Sequence, residues 1–294
     1  MVLKRKLAIC VFSALLMSLA GCVSRPSEKP MVTVSLLPQK YMLEQITGDR
    51  IDVRCLLSDG GNPETYDPSF THLLNVEKSL AYIRMGNIGF EDAIIDKIRE
   101  SRPDLPIFDA SSGVKLINGT HFHAGEAHHG DGVDPHTWSS VKNARLIASN
   151  MLRAIVSVDP SNKKYYDDNY TRFVGRLDSI DAEFGRRLAS HRGEAFVVWH
   201  PSLSYFARDY GLEQVAVGLE NKETGIKTLE NAIKTAREHD ARVFFLQKDM
   251  VSRQAQTVNR HIGAREVTIN PLGYDWIGEM ESLVDALTDS VKAQ

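Results

Sequence analysis

One stretch constrains this chain more than any other. Apolar or aromatic residues recur at Tyr166, Tyr170, Phe173, Leu177, Ile180, Phe184 and Leu188. Steps of three and four place them on one side of an α-helix over about six turns. Asp159 fits the N-cap of that helix and Pro160 its first helical position. From Pro160 to Ser190 such a helix extends about 45 Å at 1.5 Å per residue, enough to traverse two lobes. A long helix packed on a single domain is the plainer alternative. If the helix does connect two lobes, it permits less hinge motion than a flexible two-strand linker.

The flanks of this helix favour two lobes. Ahead of it, strand-like runs occur at Val32 to Leu37, Ile51 to Leu57, Ala81 to Met85 and Pro106 to Ala110. Pro38 suits the first turn of a helix, and Phe90, Ile94 and Ile98 carry helical spacing. After it come Phe196 to Trp199, Gln214 to Gly218, Arg242 to Leu246 and Glu266 to Ile269, separated by helical stretches at Ile226 to His239 and Val251 to Ile262. Alternation of strand and helix implies parallel α/β architecture, and here it occurs twice. The predicted organisation is an N-terminal α/β lobe over 31–158, a linking helix over 159–190 and a C-terminal α/β lobe over 191–294.

The extreme N-terminus differs from the rest. Lys4, Arg5 and Lys6 precede an apolar run from Leu7 to Leu19, too short to span a bilayer comfortably and followed by small residues. That order describes a signal peptide over 1–21. Leu19-Ala20-Gly21-Cys22 looks like a bacterial lipobox, which implies cleavage before Cys22, a lipidated sulfur and a solvated tether over 22–30. More than one acyl chain is needed for stable anchoring. Of three cysteines, only Cys55 then remains in the mature domain, so no disulfide is expected there. Its apolar surroundings suggest a buried strand residue.

With 294 residues, 43% of them hydrophobic, the chain has material for one large or two ordinary domains. A net charge of -3 from interleaved basic and acidic side chains gives no phosphate-binding block, so nucleic acid is not an expected partner.

The ten histidines are unevenly placed, and five fall between His121 and His136. His121, His123, His128 and His129 lie in a predicted loop over 119–132, interrupted by Gly, Ala and acidic residues with no apolar period. Such clusters bind borderline divalent metals through imidazole, the alternative being a solvated polar loop. Ordering a loop costs entropy, which argues against this cluster as the main tight site. His136 stands in Asp134-Pro135-His136-Thr137-Trp138, just before a helical pattern. His200 follows the strand candidate ending Val197-Val198-Trp199, where open α/β sheets bind ligands. Histidine in either context is more often structural, and spacing alone does not define a site.

These pieces together resemble the metal-binding lipoproteins of zinc and manganese ABC transporters, which include the high-affinity zinc-uptake binding proteins. The similarity runs from about residue 31 to the C-terminus. It rests on the Asp134–Trp138 segment, on Trp199-His200-Pro201-Ser202-Leu203-Ser204-Tyr205-Phe206 through Leu212, on Asn270-Pro271-Leu272-Gly273, and on the histidine-rich segment ahead of His136. The resemblance implies two α/β lobes joined by a long helix, with a metal-binding cleft between them. It implies metal capture outside the cytoplasm, on the periplasmic side or cell surface, by a lipid-anchored monomer that delivers zinc to an ABC permease. Manganese or iron stays open as cargo.

The resemblance carries His136 and His200 over as metal ligands. Elsewhere the chain departs from the family pattern. Glu64 stands where relatives have a histidine after proline, Asn270 where they have an acid, and Gln247 where many have glutamate. The implied shell is therefore Glu64, His136 and His200, with Asn270 or water fourth. Carboxylate can bind zinc at about 2.0–2.2 Å, and the imidazole pair favours zinc while oxygen donors move the preference partway towards manganese. One mechanism has Glu64 and His136 presented from one side of the cleft and His200 from the other.

Two rivals come from other classes. Two histidines, a glutamate and an open position also describe some catalytic zinc sites, although the chain has no His-Glu-x-x-His, Gly-x-Ser-x-Gly or P-loop. A surface metal buffer or adhesin is the other.

Overall fold

The computed structural model describes residues 29–57, 61–63, 66–118, 132–218, 226–248 and 253–289. The expectations placed on the signal peptide, Cys22, Glu64 and His121, His123, His128 and His129 lie outside these residues.

The first lobe contains β1 (Met31–Val34), α1 (Leu37–Thr47), β2 (Asp52–Cys55), α2 (Phe70–Lys78), β3 (Tyr82–Arg84), α3 (Gly89–Ser101) and β4 (Ile107–Asp109). Its sheet is parallel with order β2-β1-β3-β4. Pairing already begins at Pro30, whose carbonyl accepts from Asp52 N at 2.9 Å. A 3-10 turn (Thr137–Ser139) and α4 (Val141–Val158) lead to α5 (Lys163–Arg187). The second lobe contains β5 (Ala195–Val198), α6 (Ser204–Tyr210), β6 (Glu213–Ala216), α7 (Ile226–Glu238), β7 (Val243–Gln247), α8 (Arg253–Ile262), β8 (Arg265–Ile269) and α9 (Trp276–Asp289). Its sheet is again parallel, with order β6-β5-β7-β8. Every strand expected from sequence is present, within a few residues at each end. Both lobes are α/β, as the alternation requires.

Strands of a parallel sheet covered on both faces must be apolar on both faces. In β5 and β7, Phe196, Val198 and Phe245 join the large core that also holds α1, α4, α5 and α9. Their alternates Val197, Phe244 and Leu246 join a smaller cluster on the other face, with Ala236 of α7 and Ala255 and Val258 of α8.

The long helix forms where the stripe predicts, with shorter α-helical bounds. Lys163–Arg187 is 25 residues, about 37 Å. Pro160–Asn162 and Ala189–His191 are separate 3-10 turns. The expected cap explains the difference at the start. The Asp159 carboxylate accepts from Ser161 Oγ (2.7 Å), Asn162 Nδ2 (2.8 Å) and Tyr166 Oη (2.6 Å), so it is engaged by side chains and does not cap the backbone. The tighter 3-10 turn then leads into the α-helix.

The helix is stitched to both lobes. Tyr166, Phe173, Leu177, Ile180 and Phe184 are buried in one continuous core. Asn169 Nδ2 donates to Ile46 O of α1 at 2.9 Å. Towards the other end, Tyr210 Oη of α6 donates to Asp181 Oδ1 (2.9 Å), and Arg187 Nη2 reaches Asp285 Oδ1 (2.7 Å) and Thr288 Oγ1 (2.8 Å) of α9. Burying side chains of this size stabilises by about 1.5–3 kcal/mol each relative to exposure. The apolar stripe thus ties both lobes to one rod.

Cys55 closes β2 half-buried, with Sγ 3.1 Å from Leu57 O. Burial pushes its thiol up to about 12, so it stays protonated and unreactive at neutral pH.

Candidate metal centre

In each sheet the chain leaves the first strand to one side, then returns to the other, creating a switch point between β1 and β3 and between β5 and β7. Ligands of open α/β sheets bind beyond the carboxyl ends of strands at such points. His200 lies there in the second lobe, two residues past the end of β5. Trp199 N still donates to Phe245 O of β7 at 3.3 Å, and Ser202 N turns back to His200 O at 2.8 Å. Behind the histidine, Gln247 Nε2 at the end of β7 donates to Ser202 Oγ at 2.8 Å. Gly218 is needed beside it, because a Cβ there would fall 2.7 Å from the Trp199 ring and 2.8 Å from Trp199 O.

His136 arrives from the segment ahead of α4. The Asp134 carboxylate folds back on it: Oδ1 accepts from His136 N at 2.9 Å and pairs with His136 Nδ1 at 2.8 Å. Burial raises the Asp134 pKa, but the hydrogen bonds and charge of His136 outweigh burial and hold the carboxyl below its usual range. With the Asp134 carboxylate on Nδ1, Nε2 is the His136 nitrogen turned towards His200. Tyr205 Oη in α6 donates to Asp134 O at 2.6 Å, so the segment bearing His136 is also fastened to the helix that follows His200.

The two histidines meet. His136 Nε2 and His200 Nε2 are 3.1 Å apart across 64 residues of sequence. Their rings stand edge-on, with centroids 5.0 Å apart and planes at 75°. They are 6% and 4% exposed, so the pair converges inside the protein. Two imidazoles about 2.0–2.1 Å from one zinc ion would hold their nitrogens only slightly farther apart than this. Asn270, just past β8, is half-buried; its N–H donates to Glu279 Oε2 at 2.9 Å, and its carbonyl accepts from Gly273 N at 2.8 Å. The Asn270–Gly273 turn is brought to the His136 segment by Trp138 Nε1, which donates to Pro271 O at 3.0 Å. Glu64 and the four clustered histidines are not among the described residues, but residues flanking the histidines in sequence are. Asn118 and Val133 form an antiparallel bridge, and Asp134 N donates to Ile117 O at 2.9 Å. These bonds set Ile117 and Asn118 beside the segment that carries His136.

The first lobe treats its switch point differently. Glu91, fully buried at the start of α3, accepts from Met85 N (2.7 Å), Gly86 N (2.8 Å) and Ser35 Oγ, and Ser35 Oγ lies 2.8 Å from Tyr82 Oη. Burial raises the Glu91 carboxyl to about 7, against these hydrogen bonds and the Arg84 charge. Gly86 has φ +98°, and a Cβ there would meet Ser111 Oγ at 2.5 Å, so only glycine fits this turn.

The model of the family described as zinc-uptake complex component A, periplasmic (ZnuA), matches residues 32–290. The chain belongs to the ZnuA family. The high-affinity zinc uptake system protein ZnuA of Bacillus subtilis is 26% identical to it over 297 residues, covering 93% of this chain and 91% of that protein. The zinc-binding lipoprotein AdcA of Streptococcus pneumoniae is 22% identical over 96% of this chain, which spans 60% of that longer protein. A crystal structure of ZnuA superposes with a TM-score of 0.80 at 27% identity, covering 89% of this chain and 99% of that one. A zinc-bound deletion mutant of ZnuA gives the same TM-score and identity over 91% of this chain and 100% of its own.

Membership in the ZnuA family shows the fold class that the resemblance implied. Several contributors escaped the sequence reading. The Asp134 carboxylate is legible in hindsight as an Asp-x-His turn. Ser202 and Tyr205 lie within the segment that carried the resemblance, but their bonds to Gln247 and Asp134, like the bond of Trp276 to Trp138, join residues distant in sequence and leave no local signal.

Proposed function

We propose that this chain captures a divalent metal ion, zinc first, outside the cytoplasm and delivers it to the permease of an ABC transporter. The observation that carries this reading is the convergence of His136 Nε2 and His200 Nε2, 3.1 Å apart in a buried setting, with Asp134 on the far nitrogen of His136. Metal-ligating histidines ordinarily have such a partner, which orients the ring and raises its basicity. The ZnuA family is named for an uptake complex and not for an enzyme, which supports transport over hydrolysis.

In this reading His136 and His200 are two ligands, Glu64 a third, and Asn270 or water the fourth. Against a dication that shell leaves one net positive charge, partly offset by Asp134. His121, His123, His128 and His129 gather metal or hold a second, weaker ion, a role supported by the bridge between Asn118 and Val133, which flank them in sequence. Cys22 carries the lipid that holds the protein, as a monomer, on its membrane. Among the described residues no helix is long and apolar enough to cross one. The lobe boundaries 31–158 and 191–294 around a link over 159–190 belong to the same proposal.

A soluble form starting at Val23, stripped of metal, is titrated with zinc against a chromophoric chelator. One tight site, strongly weakened by Glu64→Ala and kept when residues 119–132 are deleted, is the expected result. No tight zinc site would overturn zinc as the cargo. Unchanged affinity in Glu64→Ala would remove Glu64 from the shell, and loss of all tight binding on deletion would contradict the secondary role of the loop.

A further inference from the structure

We propose that Trp138 and Trp276 are positioning residues, a reciprocal indole brace that holds His136 at single-ion distance from His200; the proposal rests on the metal-capture reading above. Both side chains are 1% exposed. Trp138 Nε1 donates to Pro271 O at 3.0 Å, and Trp276 Nε1 donates back to Trp138 O at 2.9 Å. An indole N–H only donates, so each bond has a fixed direction and neither residue can exchange roles with its acceptor.

The brace acts where the ligand sits. Trp138 lies two residues after His136, and its ring centroid is 5.2 Å from that imidazole. Three successive carbonyls of the turn are each held by a named donor. His136 O accepts from Ser139 N (3.0 Å) and Ser139 Oγ (2.8 Å), Thr137 O from Asn143 Nδ2 (3.0 Å), and Trp138 O from Trp276 Nε1. The first two donors belong to the turn's own neighbourhood. The third comes from the C-terminal lobe, from the indole of Trp276. Pro271 and Trp276 bracket the connection from β8 to α9, so that connection is tied near both ends to the single residue Trp138. Asn270, a proposed ligand, immediately precedes the first tie.

The proposed geometry of the cleft therefore changes from the expectation of His136 and His200 on opposing sides. His136 is bonded to the C-terminal lobe through Tyr205, Trp138 and Trp276, so the two histidines are assembled as a pair before any ion arrives. A shift of a few tenths of an ångström between their nitrogens alters the angle they subtend at the ion. First-row metals differ in the angles they accept, so the brace bears on selectivity as well as affinity.

The test is Trp276→Phe, which keeps an apolar ring and removes the N–H. Zinc affinity is expected to fall about ten-fold, the lower range for losing a support behind a metal ligand. The visible spectrum of the cobalt(II)-loaded protein, whose intensity follows coordination geometry, should change with it. Val284→Ala, fully buried in the same helix α9, serves as the control that lowers the thermal midpoint without altering affinity or spectrum. Trp138→Phe, which removes the bond to Pro271, is the second variant. Wild-type zinc affinity and cobalt spectrum in a folded Trp276→Phe would overturn the brace, as would an equal change in Val284→Ala. If neither tryptophan variant folds, the indoles serve folding and not positioning, and the proposal fails. A wild-type chain that binds neither zinc nor cobalt would instead bring down the metal-capture reading itself, and the brace with it.

Discussion

The two sheets have the same strand order, yet the two switch points are put to opposite uses. In the N-terminal lobe the peptide N–H groups of Met85 and Gly86 turn inward and are consumed by Glu91, with Ser35 and Tyr82 completing a closed network. In the C-terminal lobe Gln247 donates to Ser202 behind the strand ends, and His200 projects beyond them to meet His136. A strand-end crevice is thus an opportunity created by topology. Whether it becomes a site depends on whether the loops spend their polar groups on one another or present one outward. The N-terminal network is closed on itself, and the C-terminal arrangement is the one the proposed binding role uses.

That contrast can be broken by experiment. The largest effect is expected from Glu91→Ala, which leaves two buried N–H groups and the Ser35 hydroxyl without their acceptor. At about 1–3 kcal/mol per stranded group, it should cost 3 kcal/mol or more in chemical denaturation, while zinc affinity of the folded fraction stays unchanged. A folded Glu91→Ala with weakened zinc binding would erase the division between the lobes. His200→Ala should do the reverse, lowering zinc affinity by more than about a hundred-fold and barely changing the stability of metal-free protein. Differential scanning calorimetry with and without zinc reads both quantities at once. Asp134→Asn keeps the shape of the turn but removes the charge behind His136, and a loss of about ten-fold to a hundred-fold in competition titration is expected. If Asp134→Asn binds zinc normally, the carboxylate only shapes the turn.

The last expected effect is a pH dependence. Burial holds the Glu91 pKa in the folded chain near 7, above the ordinary glutamate value that applies when unfolded. A raised folded pKa means that the protonated form favours folding. The contribution is full below about pH 4.5 and is lost as pH rises towards 7. Metal-free protein should therefore lose stability across that window, and Glu91→Gln should flatten the slope. A wild-type slope retained in Glu91→Gln would assign the dependence to another group.

Much of the fold was legible because it depends on local pattern. The strand runs and the stripe from Tyr166 to Leu188 encode their elements directly, since apolar spacing decides which face is buried. The start of the long helix was less legible, because Asp159 has several partners to choose from and its side-chain contacts prevail over capping. α9 was not anticipated, although Trp276, Ile277, Met280, Leu283, Val284 and Leu287 carry helical spacing. At the candidate centre, sequence placed His200 beyond a strand and His136 before a helix. Their convergence is a property of the folded chain, and only the family resemblance joined them beforehand. The indole bonds, spanning 133 and 138 residues, have no local signature at all.

The bridge between Asn118 and Val133 has a further consequence for how such a protein can vary. Because the chain is clasped there, the backbone of Asp134 and His136 is anchored independently of whatever length lies between the clasp residues. The entropy of closing an intervening segment grows only logarithmically, so doubling its length costs about 0.6 kcal/mol. The places of Asp134 and of the buried histidine pair are therefore set by bonds among Ile117, Asn118, Val133, Asp134 and Tyr205, whatever sequence joins the two sides of the clasp.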